Sequence, residues 1–214
     1  MYVRPAEARA SSVGNEGDFW LVTADLFGAP PIAGLAYRPD FVDADDAASL
    51  VQHLEGEALD PFRFQGWTGK RLTRTYGWRY DFDDRSFAPA EPIPEWLQPL
   101  RMRAAGFAGV ARDEIVHVLL VRYDPGAGIG WHRDRPIFEK VIGISLGAPA
   151  VLRFRRRRPG GFDRANVPVD PRSAYVLSGE ARHDWEHSIV PGDSLRFSIT
   201  FRTLSDLGRR KADA

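Results

Sequence analysis

The chain has 214 residues, which is enough for one domain with a sizeable hydrophobic core. Its hydrophobic content of 43% and its 13 phenylalanines are typical of a globular protein and exclude an intrinsically disordered chain. The net charge of zero argues against a strongly basic, non-specific nucleic-acid binder. No stretch approaches the roughly 20 apolar residues that span a bilayer, so we expect a soluble, cytoplasmic monomer without membrane contact.

The chain contains no cysteine, which excludes disulfides and thiolate metal sites. Any metal ion must therefore be held by imidazole and carboxylate groups. Arginine greatly outnumbers lysine, and the densest arginine run lies at residues 153–158. Arginine favours planar, two-point contacts with phosphate, whereas a coding bias combined with a solvated hairpin end is the alternative explanation of the run.

The N-terminal half is predicted to combine extended segments with two helices. Residues 1–17 are predicted to be a flexible tail. Extended segments are predicted at 19–27 and 34–42, helices at 44–55 and 94–106, and a proline-rich linker at 86–94. Asp43 is a suitable N-cap for the first helix, and Gly56 ends it.

An aromatic and basic segment at residues 62–82 lies between the two helices. Such a mixture can stack bases and hold phosphates. The alternative is a pair of amphipathic strands whose aromatic side chains belong to the hydrophobic core.

After residue 109 the pattern changes to short strands with frequent turns. Strands are predicted at 115–123, 129–134, 141–146, 150–157, 163–170, 173–177, 187–190 and 195–203. This pattern predicts a mainly β protein with flanking helices (α+β), built on an antiparallel double sheet or barrel. We expect the residues from Ser205 onwards to form a frayed tail.

His132 and Asp134 stand two residues apart after a glycine-rich turn. On an extended strand both would project from one face and could chelate one ion. A second histidine would complete the two-histidine, one-carboxylate set that suits non-haem Fe(II), and His187 is the best partner. For an isolated pair of this kind, a solvated turn with a local salt bridge is the alternative.

The segment from Arg196 to Arg202 alternates apolar and polar residues and predicts a strand close behind His187. Its polar face, which includes Arg196, Ser198 and Arg202, could face solvent. Beside a metal site it could instead line a cavity in which a guanidinium holds a carboxylate cosubstrate.

The order of His132-x-Asp134, a distal histidine and two arginines six residues apart resembles the AlkB-type family of 2-oxoglutarate and Fe(II)-dependent dioxygenases. Further segments are similar to the family in the same order, at residues 120–126, 144–147, 178–182 and 185–189. The resemblance is strong over 115–204 and weak over 34–109. It implies one domain over 18–204, with N-terminal helices and a substrate lid at 18–110, a double-stranded β-helix (jelly-roll) core at 111–204 and a C-terminal tail at 205–214.

The resemblance also implies a set of roles. Fe(II) would be bound by His132, Asp134 and His187. Arg196 would pair with the distal carboxylate of 2-oxoglutarate, assisted by Tyr123, and Arg202 would lie near the metal end and orient Asp134. The implied reaction consumes O2 and 2-oxoglutarate and hydroxylates a methyl group, so that an N-methyl group leaves as formaldehyde.

The sequence departs from the family in three places. The family's usual asparagine two residues before the tyrosine is Val121, and the asparagine two residues after the first arginine is Ser198. Ser198 could replace part of the lost hydrogen bonding, whereas Val121 cannot. Where DNA-repair members often carry an acidic residue that reads the damaged base, this chain has Arg135.

A nucleic acid with a methylated base is the first substrate that we expect. The candidate substrate contacts are Trp67, Tyr76, Trp78, Tyr80, Arg133 and Arg135. A methylated protein side chain or a modified tRNA nucleotide is the second hypothesis. The third is a jelly-roll module that binds a metal without redox chemistry.

Overall fold

The computed structural model describes residues 20–21, 32–64, 67–80 and 87–213, except for the side chains of 20–21, 63–64, 67–68 and 80. Its α-helices are α1 (Ala44–Gly56), α2 (Gln98–Ala108), α3 (Gly179–His183) and α4 (Asp206–Ala212). Short 3₁₀ turns at Glu95–Leu97 and Arg112–Glu114 flank α2. None of the helices in these described ranges is long and apolar enough to span a membrane.

The strands of the N-terminal half are β1 (Trp20–Leu21), β2 (Leu35–Arg38), β3 (Asp60–Phe64), β4 (Trp67–Tyr80) and β5 (Phe87–Pro89). Those of the C-terminal half are β6 (Ile115–Tyr123), β7 (Ile129–His132), β8 (Phe138–Gly147), β9 (Ala150–Arg158), β10 (Gly161–Val169), β11 (Ala174–Leu177), β12 (Glu186–Ile189) and β13 (Arg196–Leu204). All the strand pairs are antiparallel.

The strands form a large and a small sheet, as expected for a jelly-roll. The large sheet has the order β1-β2-β11-β8-β13-β6-β4-β3, with β5 paired to β4. The small sheet has the order β10-β9-β12-β7. Strand β13 lies between β6 and β8, and all nine of its residues are buried. This strand therefore carries side chains both to the helices and to the space between the sheets.

Helices α1 and α2 cover the outer face of the large sheet. The side chains of Phe197, Ile199 and Phe201 point to this side and share a core with Leu54 of α1 and Leu100 of α2. The alternation of β13 sends Arg196, Ser198, Thr200 and Arg202 to the opposite face. The core thus fixes which face of β13 remains polar.

Helix α1 matches its predicted bounds to within one residue, whereas α2 begins at Gln98, four residues after the predicted start, because Glu95–Leu97 form a 3₁₀ turn. Asp43 caps α1 by accepting a hydrogen bond from the Asp46 amide at 2.8 Å. Helix α2 ends at Gly109, whose φ of 61° is the left-handed conformation that glycine adopts easily.

Two predicted segments differ from the structure, and others lie outside the described residues. Residues 206–212 form a helix where we predicted a frayed tail, because Ser205 caps α4 and Gly208 packs against Ile137. The linker predicted at 86–94 contains strand β5. The predicted tail at 1–17 and most of the first extended segment lie outside the described residues.

Candidate active site

Two strands of the small sheet and the loop after one of them bring three metal-binding side chains together. His187 of β12 lies directly opposite His132 of β7 in the strand register, and Asp134 follows β7 by two residues. One ligand atom from each residue lies within 4.8 Å of the others. These three residues could hold a metal ion, as the sequence predicted.

The two imidazole rings are presented in different ways. The Nδ1 atom of His132 lies 2.9 Å from the Gly130 carbonyl, which leaves its Nε2 atom for a metal. The Nδ1 atom of His187 is buried and has no hydrogen-bond partner among the described residues, so packing near Phe154 holds this ring. Burial, with the nearby His132, lowers the pKa of His187 to about 3. A neutral imidazole is the form that binds a metal.

Asp134 divides its two oxygens between an arginine and the histidine cluster. Its Oδ1 atom accepts hydrogen bonds from Arg202 Nε at 3.0 Å and Nη2 at 2.7 Å. Its Oδ2 atom lies 3.5 Å from His187 Nε2. Burial by itself would raise the pKa of Asp134, but Arg202 and the two histidines outweigh it and hold the pKa well below its usual range. The carboxylate is therefore charged and oriented, as a metal ligand must be.

His117 supports this arrangement from the neighbouring strand. Its Nδ1 atom lies 3.4 Å from Arg202 Nη1, and burial, together with Arg202, lowers its pKa well below the ordinary value. The neutral ring accepts a hydrogen bond from Arg202 and helps to aim it at Asp134. The sequence does not single out His117, because it does not indicate that β6 and β13 pair at this position.

Arg196 is buried and forms no ion pair with any of the described residues. Its Nη2 atom donates to Ser145 Oγ at 3.3 Å, and its guanidinium carbon lies 4.9 Å from the centre of the Tyr123 ring. The Nε and Nη1 atoms are buried and have no partner in the described part of the chain. Because an unpaired buried charge is costly, this arrangement fits the distal carboxylate of a dicarboxylic acid.

Comparison with known proteins agrees with this chemistry. Residues 34–202 match the family described as the 2OG-Fe(II) oxygenase superfamily. The chain belongs to this family. Together with its AlkB relatives, the match makes the protein an AlkB-type 2-oxoglutarate-dependent dioxygenase that uses Fe(II) and 2-oxoglutarate. This assignment removes the hypothesis of a metal-binding module without redox chemistry.

Two relatives and one solved structure illustrate the similarity. A tRNA (carboxymethyluridine(34)-5-O)-methyltransferase alkbh8 from Xenopus tropicalis is 28% identical over 169 residues, which cover 76% of this chain and 26% of the relative. A probable RNA/DNA demethylase ALKBH6 from Danio rerio is 28% identical over 151 residues, which cover 70% of this chain and 60% of the relative. The dioxygenase thus spans about a quarter of the first relative and three fifths of the second.

The solved structure of OsALKBH1 has the same fold. It superposes with a TM-score of 0.58 at 16% identity, and the match covers 79% of this chain and 96% of that chain. The predicted jelly-roll with flanking helices is therefore confirmed.

Tyr175 of the dioxygenase is a residue that the sequence reasoning missed. It lies opposite Gly143 in the register of β11 and β8, where a Cβ atom on Gly143 would come within 2.2 Å of the Tyr175 ring. The missing side chain at Gly143 thus allows the buried ring to lie over β8. Burial raises the pKa of Tyr175 to about 12, while Arg196 opposes this shift, and among the described residues its hydroxyl group makes no hydrogen bond. A glycine opposite an aromatic residue is the sequence signal, but the register of the two strands is needed to see it.

A cleft of about 1290 Å³ opens beside the metal-binding residues. Arg133 and Arg135, predicted as substrate contacts, both line it. The Arg133 guanidinium donates to the His183 carbonyl at 3.1 Å. The opposite wall comes from β3 and β4 and includes Phe62, Arg71, Thr73, Thr75 and Arg79.

The predicted aromatic contacts on β4 have different positions. Tyr76 is buried in the core on the helix side, and its hydroxyl donates to Glu57 at 2.6 Å, so we remove it from the predicted substrate contacts. Trp78 stacks on Phe87 with ring centres 4.8 Å apart and does not line the cleft. The side chains of Trp67 and Tyr80 lie outside the described residues. The alternation of β4 instead presents Arg71, Thr73, Thr75 and Arg79 to the cleft, whereas Arg74 lies on the Tyr76 side and pairs with Glu57 and Glu91.

Arg182 of α3 holds the loop that follows Asp134. Arg182 is buried and donates to the carbonyls of Arg135 and Phe138. His183 is half-exposed, and its Nε2 atom lies 3.1 Å from Glu139 Oε1 of β8. The loop carrying Arg135 is thus fixed from α3.

Proposed function

We propose that this dioxygenase removes methyl groups oxidatively from N-alkylated bases in DNA or RNA, with Fe(II) bound by His132, Asp134 and His187. The observation that carries the proposal is the cleft beside these three residues, whose lining combines aromatic and guanidinium groups. These groups are Phe62, Trp131, Arg71, Arg133 and Arg135. Aromatic rings stack on bases, and guanidinium groups bind phosphates. The names of the Danio and Xenopus relatives, which refer to RNA, DNA and tRNA, also support a nucleic-acid substrate.

The residues around the metal site have distinct roles in this proposal. His132 and His187 would hold Fe(II) through imidazole nitrogens, and Asp134 would hold it through a carboxylate oxygen. When bound, Fe(II) supplies the activation of O2 that converts 2-oxoglutarate to succinate and CO2 and places the second oxygen atom on the substrate methyl group. Arg202 keeps Asp134 charged and aimed at the metal.

The cosubstrate lies between β6, β13 and β11 in this proposal. Arg196 pairs with the distal carboxylate, and the hydroxyl groups of Tyr123 and Tyr175 donate hydrogen bonds to it. Ser198, which shares this face of β13, adds a smaller polar contact. Tyr175 thus adds a hydroxyl donor from β11 to a pocket in which Val121 of β6 offers none.

The test is a panel of single-stranded oligonucleotides that carry one methylated base each, in DNA and in RNA. A hydroxylated N-methyl group loses formaldehyde, so wild-type protein with Fe(II) and 2-oxoglutarate yields formaldehyde and succinate in equal amounts. Asp134→Ala is the control and yields neither. Succinate without formaldehyde across the whole panel would exclude nucleic-acid demethylation.

A modified tRNA nucleotide is the second candidate substrate. It is favoured by Arg135, which lines the cleft where DNA-repair members often carry an acidic residue. Tandem mass spectrometry of tRNA nucleosides before and after incubation tests it, since a hydroxylated nucleoside gains 16 mass units without losing carbon.

A further inference from the structure

The arginine run at residues 153–158 lies on β9, with β10 on one side and β12 on the other. Successive side chains of a strand point to opposite faces. Arg153, Arg155 and Arg157 therefore share one face, and Arg156 and Arg158 share the other with Phe154. The fold divides one continuous run of charge into two sets.

The set on the Phe154 side is neutralised by carboxylates. Arg156 lies 2.9 Å from Glu180 and 3.4 Å from Asp163. Arg158 lies 3.3 Å from the other oxygen of Asp163. These two arginines are therefore committed to contacts within the chain.

The opposite set has an excess of positive charge. Arg164 of β10 lies across from Arg155, so four arginines share this face. Among the described residues, Glu186 is its one ion-paired carboxylate, 2.6 Å from Arg155. Arg153 donates to Ser188 Oγ at 3.1 Å, and neither Arg157 nor Arg164 forms an ion pair within the described ranges.

Two aromatic rings hold these guanidinium groups in place. The centre of the Trp131 ring lies 5.0 Å from the guanidinium carbon of Arg153 and 4.6 Å from that of Arg155. The centre of the Phe162 ring lies 4.9, 5.3 and 5.5 Å from the guanidinium carbons of Arg155, Arg157 and Arg164, respectively. Such contacts restrict the side chains without neutralising their charge, so less conformational entropy is lost when an anion binds.

This surface, which we call the arginine face, continues into the cleft. Trp131 and Glu186 belong to both, because each also lines the cleft. From β7 to β10 the face crosses three strand spacings, or about 14 Å at ~4.8 Å each. A single-stranded nucleic acid that leaves the cleft over Trp131 would therefore run along a row of guanidinium groups.

We propose that the arginine face binds the phosphodiester backbone of a single-stranded nucleic acid next to the nucleotide that occupies the cleft. The inference rests on the proposed function and adds the surface that binds the flanking nucleotides. Guanidinium groups repeated along a sheet surface can bind phosphates that repeat along a chain. The net charge of the whole chain is zero, so any excess of positive charge on this face is local.

Two double variants with equal charge change test the inference. Arg153→Gln/Arg157→Gln removes charge from the arginine face, and Arg156→Gln/Arg158→Gln removes the same charge from the opposite face of the same strand. Binding of fluorescent, unmodified single-stranded 15-mers of RNA and DNA is measured by anisotropy at several salt concentrations. Thermal unfolding shows that each variant is folded, and Arg157→Gln beside Arg158→Gln provides a single-residue pair.

We expect the arginine-face variant to bind more weakly and to reduce the slope of log K against log salt by about 1.4, from ~0.7 for each lost phosphate contact. The opposite-face variant should keep the wild-type slope. Equal slopes for the two variants would mean that net charge, not this surface, controls binding, and would overturn the inference. Binding of a polyglutamate peptide to the arginine face in place of the 15-mers would overturn it in favour of an acidic protein partner.

The formaldehyde assay separates failure of this inference from failure of the proposed function. A wild-type protein that demethylates oligonucleotides but whose salt slope does not respond to Arg153 and Arg157 has the proposed activity without this surface. A protein that neither binds nor demethylates any oligonucleotide lacks both.

Discussion

The two walls of the cleft hold their charged groups in opposite ways. On the wall that carries the candidate metal ligands, Asp134 and Arg202 are buried and paired at 2.7 Å. On the β4 wall, the Arg71 guanidinium lies 3.7 Å over the Phe62 ring and forms no ion pair among the described residues. Burial lowers the pKa of Arg71, with Tyr123 opposing the shift. The first wall is fixed by its own contacts, and the second keeps a cation available for a ligand.

We infer from this difference that the first wall positions the metal and the second wall selects the substrate. A site that positions a metal needs ligands whose orientation is set before binding. A site that selects a substrate needs polar groups whose partners are in the substrate. The predictions below test whether stability depends on the first wall and substrate affinity on the second.

The largest effect is expected from Arg202→Met. The variant leaves Asp134 buried without its cation, which should lower the free energy of unfolding by about 3–5 kcal/mol. Urea unfolding of the metal-free protein measures it. Adding Asp134→Asn should restore much of the stability, because no buried charge remains. A loss below about 1 kcal/mol for the single variant would show that water screens the pair.

Tyr175→Phe should weaken 2-oxoglutarate binding about tenfold, since a hydrogen bond to a charged group contributes about 1.5 kcal/mol. Calorimetric titration of the protein, loaded with a redox-inert divalent metal, gives the dissociation constant. Tyr37→Phe is the matched control on the neighbouring strand β2, where the hydroxyl accepts from the Asp170 amide at 3.3 Å. Equal affinities for the two variants would remove Tyr175 from the cosubstrate site.

Arg71→Met should raise the KM for a methylated oligonucleotide about fivefold, from the loss of about 1 kcal/mol of contact energy. The dissociation constant for 2-oxoglutarate should not change, and stability should fall by less than about 1 kcal/mol. Steady-state kinetics and urea unfolding test both parts. If stability fell as far as in Arg202→Met, the two walls would not differ in the way described.

The smallest effect is expected from Ser205→Ala. This change removes the N-cap of α4 and the 2.6 Å hydrogen bond from Ser205 Oγ to the Pro136 carbonyl. It should cost about 1 kcal/mol in thermal unfolding. Asp43→Ala removes a cap of the same kind from α1 and should cost as much. Only Ser205→Ala should weaken Fe(II) binding, because its partner lies two residues after Asp134.

The strand pattern of the C-terminal half could be predicted because its buried strands are bounded by glycine and proline turns. The helix formed by residues 206–212 could not be predicted, because α4 depends on the close approach of Gly208 to Ile137. The aromatic residues of β4 show a second limit. A strand with bulky side chains on both faces does not reveal which face is the core, and a change of one residue in register exchanges the two faces.

The sequence by itself indicated the chemistry: His132, Asp134 and the distal His187 form a donor set that suits Fe(II), and their order with the arginines of β13 resembles the AlkB-type dioxygenases that use 2-oxoglutarate. The tertiary structure decided which polar groups face one another. Pairing of β11 with β8 brings Tyr175 over Gly143, and pairing of β9 with β10 and β12 separates the paired arginines from the unpaired ones. These contacts join residues far apart in the chain, so they depend on strand register, which the local sequence does not specify.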